Sequence, residues 1–180
     1  MSNRLYPLLA QHRCWTHRKH FPLSPQQRYW LCGSDSLTKQ LTAFANGDFR
    51  VRVLREYRAR PYAHEAKKLS LPYHLTAFIR EVELCCEGKP TVFARSVMPL
   101  SAMKGTGLQL AHLGNTPLGH LLFQRATVDI EQRELARIDT QTQTHWARRT
   151  LYEFAGSPIL VSEFFLEFDG LKAALCKVLK

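Results

Sequence analysis

Two charged residues stand where the surrounding sequence asks for apolar ones. In HLTAFIREVELCC (74–86), Phe78, Arg80, Val82, Leu84 and Cys86 fall on one face of a strand, and Ile79, Glu81, Glu83 and Cys85 fall on the other. Arg80 therefore shares its face with apolar side chains. A guanidinium keeps its proton, so burying it calls for an anion. Glu163 lies in PILVSEFFL (158–166), a strand apolar on both faces apart from Ser162. Isolated buried carboxylates are costly and are usually paired or functional. Two readings follow. Either Arg80 and Glu163 pair with each other or with a neighbour, or they are the two poles of a pocket. Such a pocket suits a small molecule with a carboxylate at one end and a hydroxyl at the other. The amides around Leu37 and Leu118 open helices, and first-turn amides without an intrahelical acceptor favour anions.

Other combinations carry less chemistry. His12, Cys14, His17 and His20 form H-x-C-x-x-H-x-x-H, which matches no standard zinc module, and Arg13, Arg18 and Lys19 repel a cation. The segment reads as solvated and basic, and no metal site is expected. Cys85 and Cys86 point to opposite sides of a strand and read as core; Cys32 sits near a helix end beside a potential site loop. KGTGLQL (104–110) lacks the spacing and the Lys-Ser/Thr of a phosphate loop. Trp15, Trp30 and Trp146 are scattered, without the basic–aromatic platform of nucleic-acid-binding sheets.

The elements that position these residues follow from caps and periods. Ser24-Pro25 starts a helix that runs through Gln26 to Leu31 and stops near Gly33. Asp35-Ser36 starts another, with Leu37, Leu41 and Phe44 on one face and Asn46-Gly47 at its end. The period then changes to two. Strands are expected at 49–57, 74–86 and 91–99, the last two joined by a turn at Glu87-Gly88-Lys89-Pro90. Residues 100–115 read as loop with a short helical piece, and Thr116 caps PLGHLLFQ. Strands at about 126–138, 144–155 and 158–168 and a short helix at 170–179 complete the chain. The fold class is α+β: one antiparallel sheet of about six strands, with helices packed on one side.

Size and composition set the frame. The 180 residues, 45% hydrophobic and 22% charged, are ordinary globular values for one domain spanning 1–180. No apolar run approaches the ~20 residues of a membrane span, and the start has no secretory-signal pattern. Five cysteines at no framework spacing fit a reduced, cytoplasmic setting. The net charge of +10 points to anionic partners or serves solubility alone.

Four segments, in order and with similar spacing, carry a resemblance: WLCGSDSLTKQL (30–41), IREVELCCEGKPTVFARSVMPLSAM (79–103), LGNTPLGHLLF (113–123) and WARRTLYEFAGSPILVSEFFL (146–166). They resemble the chorismate lyase family, also called chorismate–pyruvate lyase. The resemblance implies cleavage of chorismate to 4-hydroxybenzoate and pyruvate, the first committed step toward ubiquinone. It implies a monomeric α+β fold built on an antiparallel sheet, with no cofactor and with helical flaps over a buried site. The family's product-binding arginine matches Arg80, its buried glutamate Glu163, and its two amide donors Leu37 and Leu118. Leucine stands at 37 where the family commonly has methionine, a change that a main-chain donor survives. Arg95 in ARSVMP matches a recurrent arginine to which no role is assigned.

The resemblance and the strand pattern single out the same two residues. Arg80 would grip the ring carboxylate with the amides of Leu37 and Leu118, and Glu163 would meet the 4-hydroxyl. Two other classes stand against this. A non-catalytic sensor of small aromatic acids would share the fold with effector domains of transcription regulators, but residues 1–23 leave no room for a helix-turn-helix unit. A basic nucleic-acid-binding module lacks its aromatic platform. No nucleic acid and no stable membrane insertion are expected.

Overall fold

The structure, a computed structural model, describes residues 2–125, 127–129, 132–167 and 171. Five helices are seen among them: α1 (Ser2–Ala10), α2 (Pro25–Cys32), α3 (Leu37–Phe44), α4 (Ala63–Lys68) and α5 (Leu118–Arg125). The strands are β1 (Thr16–His17), β2 (Phe49–Ala59), β3 (Ala77–Cys86), β4 (Lys89–Pro99), β5 (Thr127–Val128), β6 (Glu134–Asp139), β7 (Thr144–Phe154) and β8 (Ser157–Phe165). They form one antiparallel sheet in the order β1-β6-β7-β8-β4-β3-β2, with β5 also on β7. The α+β class and the six long strands are as expected; β1 and β5 are two-residue additions.

Local chemistry explains the elements nearest the site. Ser24 and Gln27 form a capping box on α2: the Gln27 amide donates to Ser24 Oγ (3.2 Å) and the Ser24 amide to Gln27 Oε1 (2.9 Å). Two hairpins set the central register. Glu87-Gly88 and Ala155-Gly156 all have positive φ (50°, 74°, 51° and 72°), as two-residue turns matching strand twist require. The chain therefore folds back with Cys86 opposite Lys89 and Phe154 opposite Ser157.

The helices are not confined to one side. Leu31, Leu37 and Leu41, from α2 and α3, pack with Val82, Leu84 and Ala94 on one face. Leu118 and Leu122 of α5 pack with Tyr152 and Val161 beside them. On the opposite face Tyr6, Leu9 and Ala10 of α1 pack on Phe93, Ala147 and Phe164. The expectation of helices on a single side is corrected here. The sequence before Gln11 and from 60 to 70 carries no cap–period pattern strong enough to mark α1 and α4. Glu81 and Glu83, on the polar face of their strand, are only 4% and 1% exposed.

Several boundaries shift. The strand expected at 74–86 begins at Ala77, that at 158–168 ends at Phe165, and that at 126–138 is divided into β5 and β6. The helix expected at 170–179 lies outside the described residues except Leu171, which is buried in the core. The basic segment is partly ordered: Thr16 and His17 pair with Leu135 and Glu134, and Arg18–His20 make a 3₁₀ turn. Its His and Cys side chains do not converge. The His12 ring meets the Cys14 carbonyl (3.0 Å), and among the described residues no three His, Cys, Asp or Glu side chains gather.

Candidate active site

The sheet lays the site out as two rows across neighbouring strands. One row runs Arg80, Ser96, Val161, Thr150; the next runs Val82, Ala94, Glu163, Arg148. Residues directly opposite in an antiparallel pair share a face. Both sequence-predicted charges therefore point to the same side, under α3 and α5. A cavity between sheet and helices is lined by Arg80 and Glu163 and also by Leu37 and Leu118. Val82, Ala94, Leu122 and Val161 supply apolar walls. All four residues singled out in the sequence thus meet in one place.

The helix starts reach this cavity by close packing. A side chain at Gly119 would put its Cβ 3.1 Å from Thr38 Oγ1 and 3.5 Å from Ser36 Oγ, so glycine lets α5 approach α3. Leu37 and Leu118 are the first residues of their helices, and their amides have no acceptor within them. Two donors and two dipole ends consequently border one cavity.

Arg80 and Glu163 do not pair with each other. Arg80, 2% exposed, pairs through Nη1 with Glu56, and its Nη2 donates to the carbonyls of Gly114 (2.8 Å) and Thr116 (3.2 Å). Glu163 accepts from Arg148 Nε, and Arg148 Nη1 donates to the Trp30 carbonyl (2.7 Å). The pairing reading and the two-pole reading both hold in part: each charge has a neighbour, and both line the cavity.

Glu56 reaches Arg80 because of a β-bulge. The register of β2 on β3 shifts between Val53 and Arg55, so Val51 and Val53 face the site and Glu56, not Arg55, stands opposite Arg80. Leu54 packs on the other face. Its apolar side chain within FRVRVLREY was the only sequence trace of this switch.

Three arginines near the site divide by role. Arg95, the recurrent arginine, points away, and its Nε donates to Glu65 Oε1 (2.7 Å) on the opposite face. Arg148 and Arg133 are each 1% exposed on the site face and were missed in the sequence. Arg148 was findable, since a hairpin turning at Ala155-Gly156 places it opposite Glu163. Arg133 follows a break in the expected strand and gave no such signal. Burial and neighbouring Arg148 pull the Arg133 guanidinium down to about 10. Burial, then Glu163, pushes the Tyr152 phenol up.

Helices on an open antiparallel sheet thus border one cavity with a guanidinium at one side and a carboxylate at the other. A family profile described as chorismate lyase matches residues 9–170, and the chain belongs to that family. It is 41% identical over 149 residues to a "Probable chorismate pyruvate-lyase" of Methylococcus capsulatus, covering 76% of this chain and 92% of the relative. It is 36% identical over 170 residues to a "Chorismate pyruvate-lyase" of Salmonella arizonae, covering 92% and 98%. Among solved structures, the effector domain of PhnF from Mycobacterium smegmatis matches with TM-score 0.53 and 11% identity, over 72% of this chain and 87% of that one. A GntR-family regulator from Bacillus cereus gives 0.52 and 9%, over 66% and 92%. These two likenesses are of fold.

Proposed function

We propose that the protein is a carbon–oxygen lyase that converts chorismate to 4-hydroxybenzoate and pyruvate. The observation that carries this reading is the single cavity bordered by Arg80, Glu163 and the helix starts at Leu37 and Leu118. The family and its named relatives supply the substrate. In this reading the ring carboxylate lies at Arg80 and the two amides, the ring lies between the apolar walls, and the 4-hydroxyl meets Glu163. The +10 charge draws in a dianionic substrate at long range. The protein acts as a monomeric single domain in the cytoplasm, without a cofactor and without nucleic acid, and feeds 4-hydroxybenzoate toward ubiquinone. No helix among the described residues is long and apolar enough to cross a membrane.

The reaction breaks the bond from C3 to the ether oxygen, removes hydrogen from C4 and leaves an aromatic ring. A carbon-bound hydrogen is poorly matched to a carboxylate base. The enolpyruvyl methylene can take it directly in a six-membered array as the C3–O bond breaks, giving pyruvate. The enzyme then contributes mainly orientation. Glu163, already held by Arg148, steadies the 4-hydroxyl and does not act as base.

Purified protein should release pyruvate and 4-hydroxybenzoate from chorismate in equal amounts; release of neither defeats the reading. Chorismate deuterated at C4 should give pyruvate deuterated in its methyl group. Deuterium lost wholly to solvent would make Glu163 the general base.

A further inference from the structure

The buried cations on the site face are not all matched by acids. Arg80 has Glu56 and Arg148 has Glu163. Arg133 has no ion pair among the described residues, although it is only 1% exposed. Its Nε donates to Thr150 Oγ1 (2.9 Å) and its Nη1 to the carbonyls of Leu31 (3.3 Å) and Gly33 (2.9 Å). Its Nη2 is buried with no hydrogen-bond partner among the described residues. A buried guanidinium left with a free donor and no counter-charge is expensive unless a ligand completes it.

The register places Arg133 on the site face. Glu134 pairs with Arg149, so Arg133 stands beside Thr150, next in line after Arg80, Ser96 and Val161. Arg80 and Arg133 thus end one row across the sheet, four strand spacings or about 19 Å apart at the backbone, with both side chains long. Glu163 lies in the adjacent row between them and is close enough to act electrostatically on Arg133.

Chorismate has a second carboxylate, on the enolpyruvyl ether at C3. C3 adjoins C4, whose hydroxyl faces Glu163 in the proposed pose. The second carboxylate therefore projects on the Glu163 side of the ring, away from Arg80. We propose that Arg133 binds this enolpyruvyl carboxylate and holds the pyruvate fragment as it leaves. This rests on the lyase reading above and adds a second anion subsite to it. Gripping the side chain at its far end fixes the methylene over C4, so Arg133 acts on turnover as well as on binding.

The product separates this role from a structural one, because 4-hydroxybenzoate lacks the second carboxylate. The test compares kcat/KM for chorismate, read as pyruvate release, with the calorimetric Kd for 4-hydroxybenzoate in Arg133→Met, Arg133→Lys and Arg80→Met. Arg133→Met should lower kcat/KM about 100-fold, as expected for loss of a charge-assisted contact, and change the 4-hydroxybenzoate Kd by less than about 3-fold. Arg133→Lys should recover part of the loss, and Arg80→Met should weaken both quantities. Turnover and product affinity falling together would show that Arg133 only fastens Thr150 and the end of α2, and would overturn the proposal. So would unchanged turnover. If Arg133→Met fails to fold, the same ratio in Arg133→Lys decides. A wild-type protein inactive on chorismate would instead defeat the lyase reading, whatever the Arg133 variants do.

Discussion

The two faces of the sheet use the same charged residue types for opposite ends. On the face under α1 and α4, Arg95 donates from Nε and Nη2 to both oxygens of Glu65 (2.7 and 3.1 Å), and from Nη1 to Glu81 and Tyr57 Oη. Arg55 takes the other oxygen of Glu81, and Glu83 receives Tyr6 Oη and Arg52. Arg149 and Lys68 share a fourth glutamate, Glu134, so four arginines and a lysine meet four glutamates there, and each carboxylate is bonded. On the face under α2, α3 and α5, three arginines meet two glutamates, and one guanidinium nitrogen has no partner among the described residues. A buried network whose carboxylates are all bonded fixes packing. A buried guanidinium nitrogen left open on the site face leaves room for an anion.

The sharpest way to break this comparison is to remove one arginine from each face. Arg80→Ala should cost the most in function. An interaction between a buried cation and a bound carboxylate is worth several kcal/mol, so chorismate turnover should drop about 1000-fold or more. Folding should survive, because the freed Glu56 has 30% of its side chain exposed and is able to hydrate. Activity within a few-fold of wild type would take Arg80 out of the site.

Arg95→Ala should behave in the reverse sense. Glu65 and Glu81 have side chains only 1% and 5% exposed, so removing their shared cation strands two buried carboxylates. The expected loss is about 3–5 kcal/mol of stability by denaturant unfolding. Turnover per folded molecule should stay near wild type. A selective loss of turnover would show that the opposite face also serves catalysis.

What was legible in the sequence follows the same division. Arg80 and Glu163 stood out because each broke an apolar run, and Leu37 and Leu118 because each follows a recognisable helix start. The first central hairpin was read from the turn at Glu87-Gly88-Lys89-Pro90, which the structure tightens to Glu87-Gly88; the turn at Ala155-Gly156 was not named. The burial of the opposite face was not legible, because Glu81 and Glu83 alternate as they would in a solvated strand. Only the docking of Glu65 and Tyr6, from distant segments, turns that polar face into a core. Glu56 was hidden by a bulge, and Arg133 by a break in the strand. Periodicity reports what a strand's faces are, not what will cover them.

Within the site, Glu163 offers a smaller and more discriminating effect. Alanine at 163 leaves Arg148 and Arg133, both buried, without a nearby acid. Glutamine keeps a carbonyl oxygen for Arg148 and for the 4-hydroxyl. Glu163→Gln should therefore retain about 10-fold more activity than Glu163→Ala, the worth of roughly one hydrogen bond. Equal damage from both would favour a general base at this position.

The smallest predicted effect lies on the opposite face. His64 joins α4 to α1 and β7. Its Nε2 donates to the Ala10 carbonyl (3.1 Å), and its Nδ1 accepts from Arg149 Nη1 (3.4 Å). This arrangement needs a neutral ring, since a second ring proton would point at a guanidinium. Burial is the main cause that lowers the His64 pKa, and Arg149 and Arg95 add to it against Glu65 and the Ala10 carbonyl. Because the folded value is lowered, the unfolded chain binds the proton first as pH falls below about 6.5. His64 thus contributes its full stability above that pH and loses it as pH falls toward the folded value. Denaturant stability should decline from pH 7.5 to 5.5, with His64 accounting for at most about 1 kcal/mol. His64→Gln, which still donates and accepts but does not titrate, should flatten that part of the slope and leave turnover unchanged. An unaltered slope would mean that the ring takes up its proton without losing its place between Ala10 and Arg149. The opposite face would then tolerate a charge that its closed network is argued to refuse.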